Sequence, residues 1–179
     1  EKAKESRKLK QKQEKEEKIE RLISHGKSLL DNKVFEQARD SFQEVLELDE
    51  NNEEAQQGLE KVNREEKIFN LFKDAGDYLR NEEYETAIGV LEQILEIDPD
   101  NSEAQNVLEN AKDKLEEQEK QKREKKIKKL LSEGEDLLDQ QNFEEAREKF
   151  QSILKLDQDD VRGKKALEKV NQAENIYNL

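Results

Sequence analysis

One pattern of apolar and small residues occurs three times in this chain without a gap. The copies are Ile19-Leu22-Gly26-Leu29-Phe35-Ala38-Phe42-Val45-Leu46-Leu48-Asp49, Ile68-Leu71-Ala75-Tyr78-Tyr84-Ala87-Leu91-Ile94-Leu95-Ile97-Asp98 and Ile127-Leu130-Gly134-Leu137-Phe143-Ala146-Phe150-Ile153-Leu154-Leu156-Asp157. Repetition at fixed internal spacing makes each copy one supersecondary unit that buries its apolar face only against neighbours. Within a copy, apolar residues recur at three and four positions, the stripe of an amphipathic helix. A polar break follows (Asp31-Asn32-Lys33, Arg80-Asn81-Glu82, Asp139-Gln140-Gln141-Asn142), and then a second stripe. Each copy reads as a helical hairpin. Gly26, Ala75 and Gly134 leave room where a partner helix crosses, and Ala38, Ala87 and Ala146 do the same from the other side.

The chain as a whole could not support a thick single core. It is 44 % charged and 31 % hydrophobic, with one Pro, six Gly and no Cys, Met or Trp. Such a composition suits serial helices that each bury one stripe, an all-α fold. The formal net charge of -13 argues against condensation of the whole molecule on nucleic acid or an anionic membrane. Without cysteine there is no disulfide and no thiolate metal site. No apolar run approaches the roughly 20 residues that span a bilayer.

The three stretches 19–52, 68–101 and 127–160 resemble the tetratricopeptide repeat (TPR) family of helix-turn-helix units. Ile97-Asp98-Pro99-Asp100-Asn101 is similar to that family's inter-repeat turn, and Leu48 to Asn52 and Leu156 to Asp160 are Pro-less versions. The resemblance implies an extended α-solenoid and a non-enzymatic role in protein binding. The chain departs from the family in spacing, because Ile19, Ile68 and Ile127 stand much further apart than the roughly 34 residues of a simple array. Extra helix must intervene. Residues 53–67 form a capping and linking segment, 102–126 a capping segment with a charged arm, and 161–179 a cap leading into a further unit. Residues 53–80 and 102–139 are expected to be continuous helices, and 1–18 a charged helical arm. Above this lies a duplication: sliding 1–71 onto 109–179 gives identity at roughly 45 % of positions. Ile176-Tyr177-Asn178-Leu179 repeats Ile68-Phe69-Asn70-Leu71, so the array is expected to continue as part of a longer repeat protein.

Few segments carry chemistry. Residues 1–18 and 112–126 are rich in Glu, Lys, Gln and Arg, and pairs such as Glu14 with Lys18 and Glu124 with Lys128 fall at the helix-stabilising spacing of four. They read as exposed helical arms, with a partner-dependent coiled coil or disorder as the alternatives; a packed seam is disfavoured because Gln118, Lys122 and Lys125 occupy its positions in 112–126. The basic run from Lys120 to Lys129 lacks aromatic interleaving and contains Glu124, so nucleic-acid binding is disfavoured. The carboxylates of the inter-unit loops, Asp98 and Asp100 among them, fit turn and helix-cap duty better than calcium, since Glu103 stands where a calcium loop needs Gly. His25 is the only histidine and its counterparts are Asp74 and Glu133. No catalytic residue, metal ligand or cofactor site is assigned, and no enzyme activity is expected.

A peptide groove is the remaining candidate. The Lys and Asn clamp by which some arrays of this family hold a partner's C-terminal carboxylate is absent, since the matching pairs are Ile23 with Lys27, Phe72 with Gly76 and Leu131 with Glu135. Apolar pairs Ile23/Leu30, Phe72/Leu79 and Leu131/Leu138 occupy the groove side instead. Either capping helices bury them or they form a surface that accepts a helix from a partner protein or a second copy. The expected function is therefore a protein-interaction scaffold; the alternative is a rigid helical spacer that sets the distance between other domains.

Overall fold

A computed structural model describes residues 1–177. Seven helices follow one another among the described residues: α1 Lys2–Asp31, α2 Phe35–Leu48, α3 Glu53–Arg80, α4 Tyr84–Ile97, α5 Ser102–Asp139, α6 Phe143–Leu156 and α7 Val161–Tyr177. The protein is all-α. The two stretches read as continuous, 53–80 and 102–139, coincide with α3 and α5. By contacts the chain divides into two compact units, Glu1–Ala111 and Lys112–Leu179. Of the recurrence at Ile176 to Leu179, the positions Asn178 and Leu179 lie outside the described residues.

Each hairpin reverses through one residue in the left-handed conformation, and in none is it glycine. Lys33, Glu82 and Gln141 have φ of 60°, 60° and 63°. Their amides, and those of the residues after them, cap the helix they leave. Lys33 N–H donates to Leu30 O (2.8 Å) and Val34 N–H to Leu29 O (2.9 Å), with the same pair of bonds at Glu82/Glu83 and Gln141/Asn142. This is the Schellman arrangement, which satisfies carbonyls that the helix end would otherwise orphan. The second helix then ends at an extended Asp, and three residues later an Asn or Asp side chain caps the next. Asn52 Oδ1 accepts from Ala55 N–H (3.0 Å), Asn101 Oδ1 from Ala104 N–H (2.9 Å) and Asp160 Oδ1 from Gly163 N–H (3.1 Å). Asp49 and Asp157 adopt nearly the backbone angles of Asp98, so the loops without Pro99 turn as the loop with it does.

Three apolar clusters form, one per copy. Phe42, Leu91 and Phe150 lie at their centres with no exposed surface. Phe42 is held between two glycines: a Cβ on Gly26 would lie 2.9 Å from its Cζ, and one on Gly58 2.6 Å from its Cε1. A Cβ on Gly134 would overlap the Phe150 ring. The second copy has the smaller Leu91 at this place and accommodates Ala75. Packing density thus ties the size of one residue to the smallness of the other. α3 serves two clusters, with Ala55 and Val62 in the first and Ile68 and Ala75 in the second.

Two substitutions test this account. Phe150→Ala removes a fully buried ring and is expected to cost about 3–5 kcal/mol. Its effect should fall on residues 112–177 while hydrogen exchange of the Phe42 cluster stays near that of the parent. Glu82→Gly removes a left-handed strain of about 1–2 kcal/mol against a glycine entropy cost of about 0.5–1 kcal/mol, and should stabilise by up to about 1 kcal/mol in urea denaturation.

Candidate protein-binding site

The six groove-side residues do not share one environment. Ile23 and Leu30 are only 7 % and 6 % exposed and belong to the first core, so as members of an exposed binding surface they are corrected. α3 is the reason, because it places Ala55 and Val62 in the same cluster. Phe72 and Leu79 in the second copy, and Leu131 and Leu138 in the third, are half-buried and packed against their own clusters.

A different concavity appears at the turn end of the first hairpin. There the ring of Phe35, at the start of α2, meets that of Phe69 on α3, with centroids 5.6 Å apart and planes tilted by 56°. Such a tilted geometry is the favourable one for aromatic pairs. The pair borders a groove of about 530 Å³ that Leu30, Ile68 and Phe72 also line. Lys33 Nζ sits 5.5 Å from the centre of the Phe69 ring, a cation–π contact, yet Phe69 remains 43 % exposed. The third copy repeats the arrangement. Phe143 and Tyr177 stand 5.6 Å apart at 60°, beside a groove of about 600 Å³ lined by Leu138, Ala173 and Ile176. In the second copy the positions of Ile68 and Phe69 are taken by Glu117 and Gln118, so the aromatic partner is missing there. Three of the six expected residues, Leu30, Phe72 and Leu138, therefore line grooves, though not the groove anticipated.

Charged clamps hold the walls. Arg39 on α2 donates to Glu66 Oε2 (2.5 Å) and Asn63 Oδ1 (3.2 Å) on α3, and Arg147 on α6 donates to Glu174 (2.5 Å) and Asn171 (3.2 Å) on α7. The bond to Glu174 pushes Arg147 above its ordinary pKa. At the corresponding places the second copy has Ile88 and Leu115, a charged pair exchanged for an apolar one. That exchange, and the loss of the aromatic at 118 alone, were the available sequence signals for clamp and groove.

The arms also differ from expectation in their partners. Lys18 does not pair with Glu14; it reaches Glu44 on α2 at 2.7 Å, and Glu14 faces Lys10. Glu124 does lie 3.8 Å from Lys128, but its stronger bonds come from Arg162, which donates to both of its oxygens at 2.6 and 2.8 Å. Arg162 also donates to the buried cap Asp160 at 2.6 Å. Hydrogen bonds from Arg162 hold both carboxylates below their usual pKa, against the opposing effect of burial. Lys149 does the same for Glu133.

Because the folded pKa values are lowered, the stabilisation is complete above the unfolded values of about 4 and is lost as pH falls through the folded ones. Asp160→Asn keeps the cap used at Asn52 and Asn101 and removes one carboxylate from Arg162. The variant should be less stable than the parent at neutral pH, and the gap should narrow below about pH 4. Urea denaturation at neutral and acid pH reads this directly.

No helix among the described residues is long and apolar enough to cross a membrane. No family model matches this chain, and no curated protein matches it.

Proposed function

We propose that this chain is a non-enzymatic protein-interaction scaffold, a TPR-like helical repeat array of the α-solenoid class, whose first and third copies each take an apolar side chain of a partner in an aromatic-walled groove. The observation that carries this reading is the recurrence of the groove in the first and third copies. A wall built for core packing would be covered, whereas Phe69, well inside the chain, is 43 % exposed. Polar residues rim the apolar walls, Lys61 and Glu65 at the first groove and Lys169 and Gln172 at the second. This is the anatomy of a site where an apolar anchor is buried and a polar rim orients it. Two like grooves on one chain suit a partner with repeated anchors, since the second contact is then intramolecular.

The exposure of α1 from Lys2 to Lys18 favours a second reading, a helical spacer between other domains. Phe69→Glu and Tyr177→Glu separate the two. Both rings are substantially exposed, so helicity should be unchanged. Partners captured by the parent chain should be lost in the double variant and reduced in each single one, with little dependence on salt because the contact is apolar. Unchanged capture by the folded double variant would leave the spacer as the better account.

A further inference from the structure

One side of the α1 arm carries lysine with no carboxylate between. Lys4, Lys8, Gln11, Lys15 and Lys18 follow at spacings of four, three, four and three, which places them in one stripe. The stripe runs on into Leu22, Gly26 and Leu29, the side on which the hairpin packs α2. The arm therefore presents lysine where the hairpin presents its core face. Lys18, the last member, already has an acidic helix opposite it through Glu44. From Lys18 back to Lys4 is about 21 Å of helix, but α2 ends at Leu48, about 6 Å past Glu44. Most of the lysine face lies beyond the reach of its own hairpin, and these residues are exposed.

A matching face exists on α4. Residues 81–111 contain nine carboxylates and no Lys or Arg. On the outer side of α4, Glu85, Gly89, Glu92 and Glu96 are exposed and follow at spacings of four, three and four. A Cβ added at Gly89 would meet nothing within 4 Å, so another helix can come close there. Laid antiparallel, the two stripes set Lys4 against Glu96, Lys8 against Glu92, Gln11 against Gly89 and Lys15 against Glu85. The other second helices fit less well. α2 would bring Gln43 to Lys8, and α6 would bring Lys155 to Lys4, a like-charge contact. Within one chain both faces are exposed, so the chain's own α4 does not cover the arm.

We propose that the lysine face of α1 docks antiparallel on the glutamate face of α4 of a second copy of this chain. The pairing names one partner of the scaffold and rests on that reading. Exposed ion pairs are individually weak, so the association is weak and governed by salt.

Sedimentation equilibrium of the whole chain tests it. Association should weaken at least about tenfold between about 0.01 M salt, where the screening length is about 30 Å, and about 1 M, where it is about 3 Å. Reversing the arm (Lys4→Glu, Lys8→Glu, Lys15→Glu) or the α4 face (Glu85→Lys, Glu92→Lys, Glu96→Lys) should abolish it, with helicity by circular dichroism unchanged. An equimolar mixture of the two variants should associate again, because each then offers the charge that the other lacks. A chain that is monomeric at low salt, association indifferent to either reversal, or a mixture that fails to associate overturns the pairing. Loss on arm reversal alone would assign the arm to a different acidic partner and also overturn it. Groove capture, read at high salt, stands or falls separately.

Discussion

Phe42 and Phe150 can be buried only because the helices against which they lie carry no side chain at the point of contact. A methyl group at Gly58 would sit well inside van der Waals contact of the Phe42 ring, and the same holds at Gly134 for Phe150. The ring cannot retreat, since Val45 or Ile153 one turn along is itself fully buried. Everything else in a repeat is arranged around this contact. The left-handed turn sets where the second helix starts, the Asn or Asp cap sets where the next one starts, and together they decide which backbone passes the ring.

Electrostatics then acts on a frame already fixed by packing. The Arg39 and Arg147 clamps tie the second helix of a hairpin to the helix that caps it, next to the aromatic pair. They are partly exposed and well aligned, so they orient the walls of the groove more than they stabilise the fold. Where the clamp is replaced by Ile88, that residue packs into the apolar cluster of the second copy. The alternation of charged and apolar solutions follows the duplication, with copies one and three alike and copy two different.

How much of this the sequence disclosed depends on how local the cause is. Helix limits in α3 and α5 could be read because no Pro or turn cluster stands between Ala55 and Leu79 or between Ala104 and Leu138. The central place of Phe42 could be read from its spacing to Ala38 and Val45. Gly58 could not, because its partner lies on another helix and a lone glycine in a helical stretch has many explanations. The left-handed turns were hidden because Lys33, Glu82 and Gln141 are residues that carry no φ preference of that kind. The groove-side stripe failed at Ile23 and Leu30 for a related reason: their exposure is decided by how closely α3 lies, which its own spacing does not specify.

Lys27 and Glu54 are bonded to one another in the first copy, and their counterparts in the third are Glu135 and Arg162, with the signs exchanged. Two segments so alike face a problem of mistaken identity as the chain folds, since α7 carries the same clamp glutamate and aromatic as α3. Were α7 to settle on the first hairpin, Arg162 would meet Lys27. Were α3 to settle on the third, Glu54 would face Glu135. On its own hairpin each capping helix meets opposite charge instead, Glu54 of α3 at Lys27 and Arg162 of α7 at Glu124, so the exchanged signs disfavour the swapped arrangement.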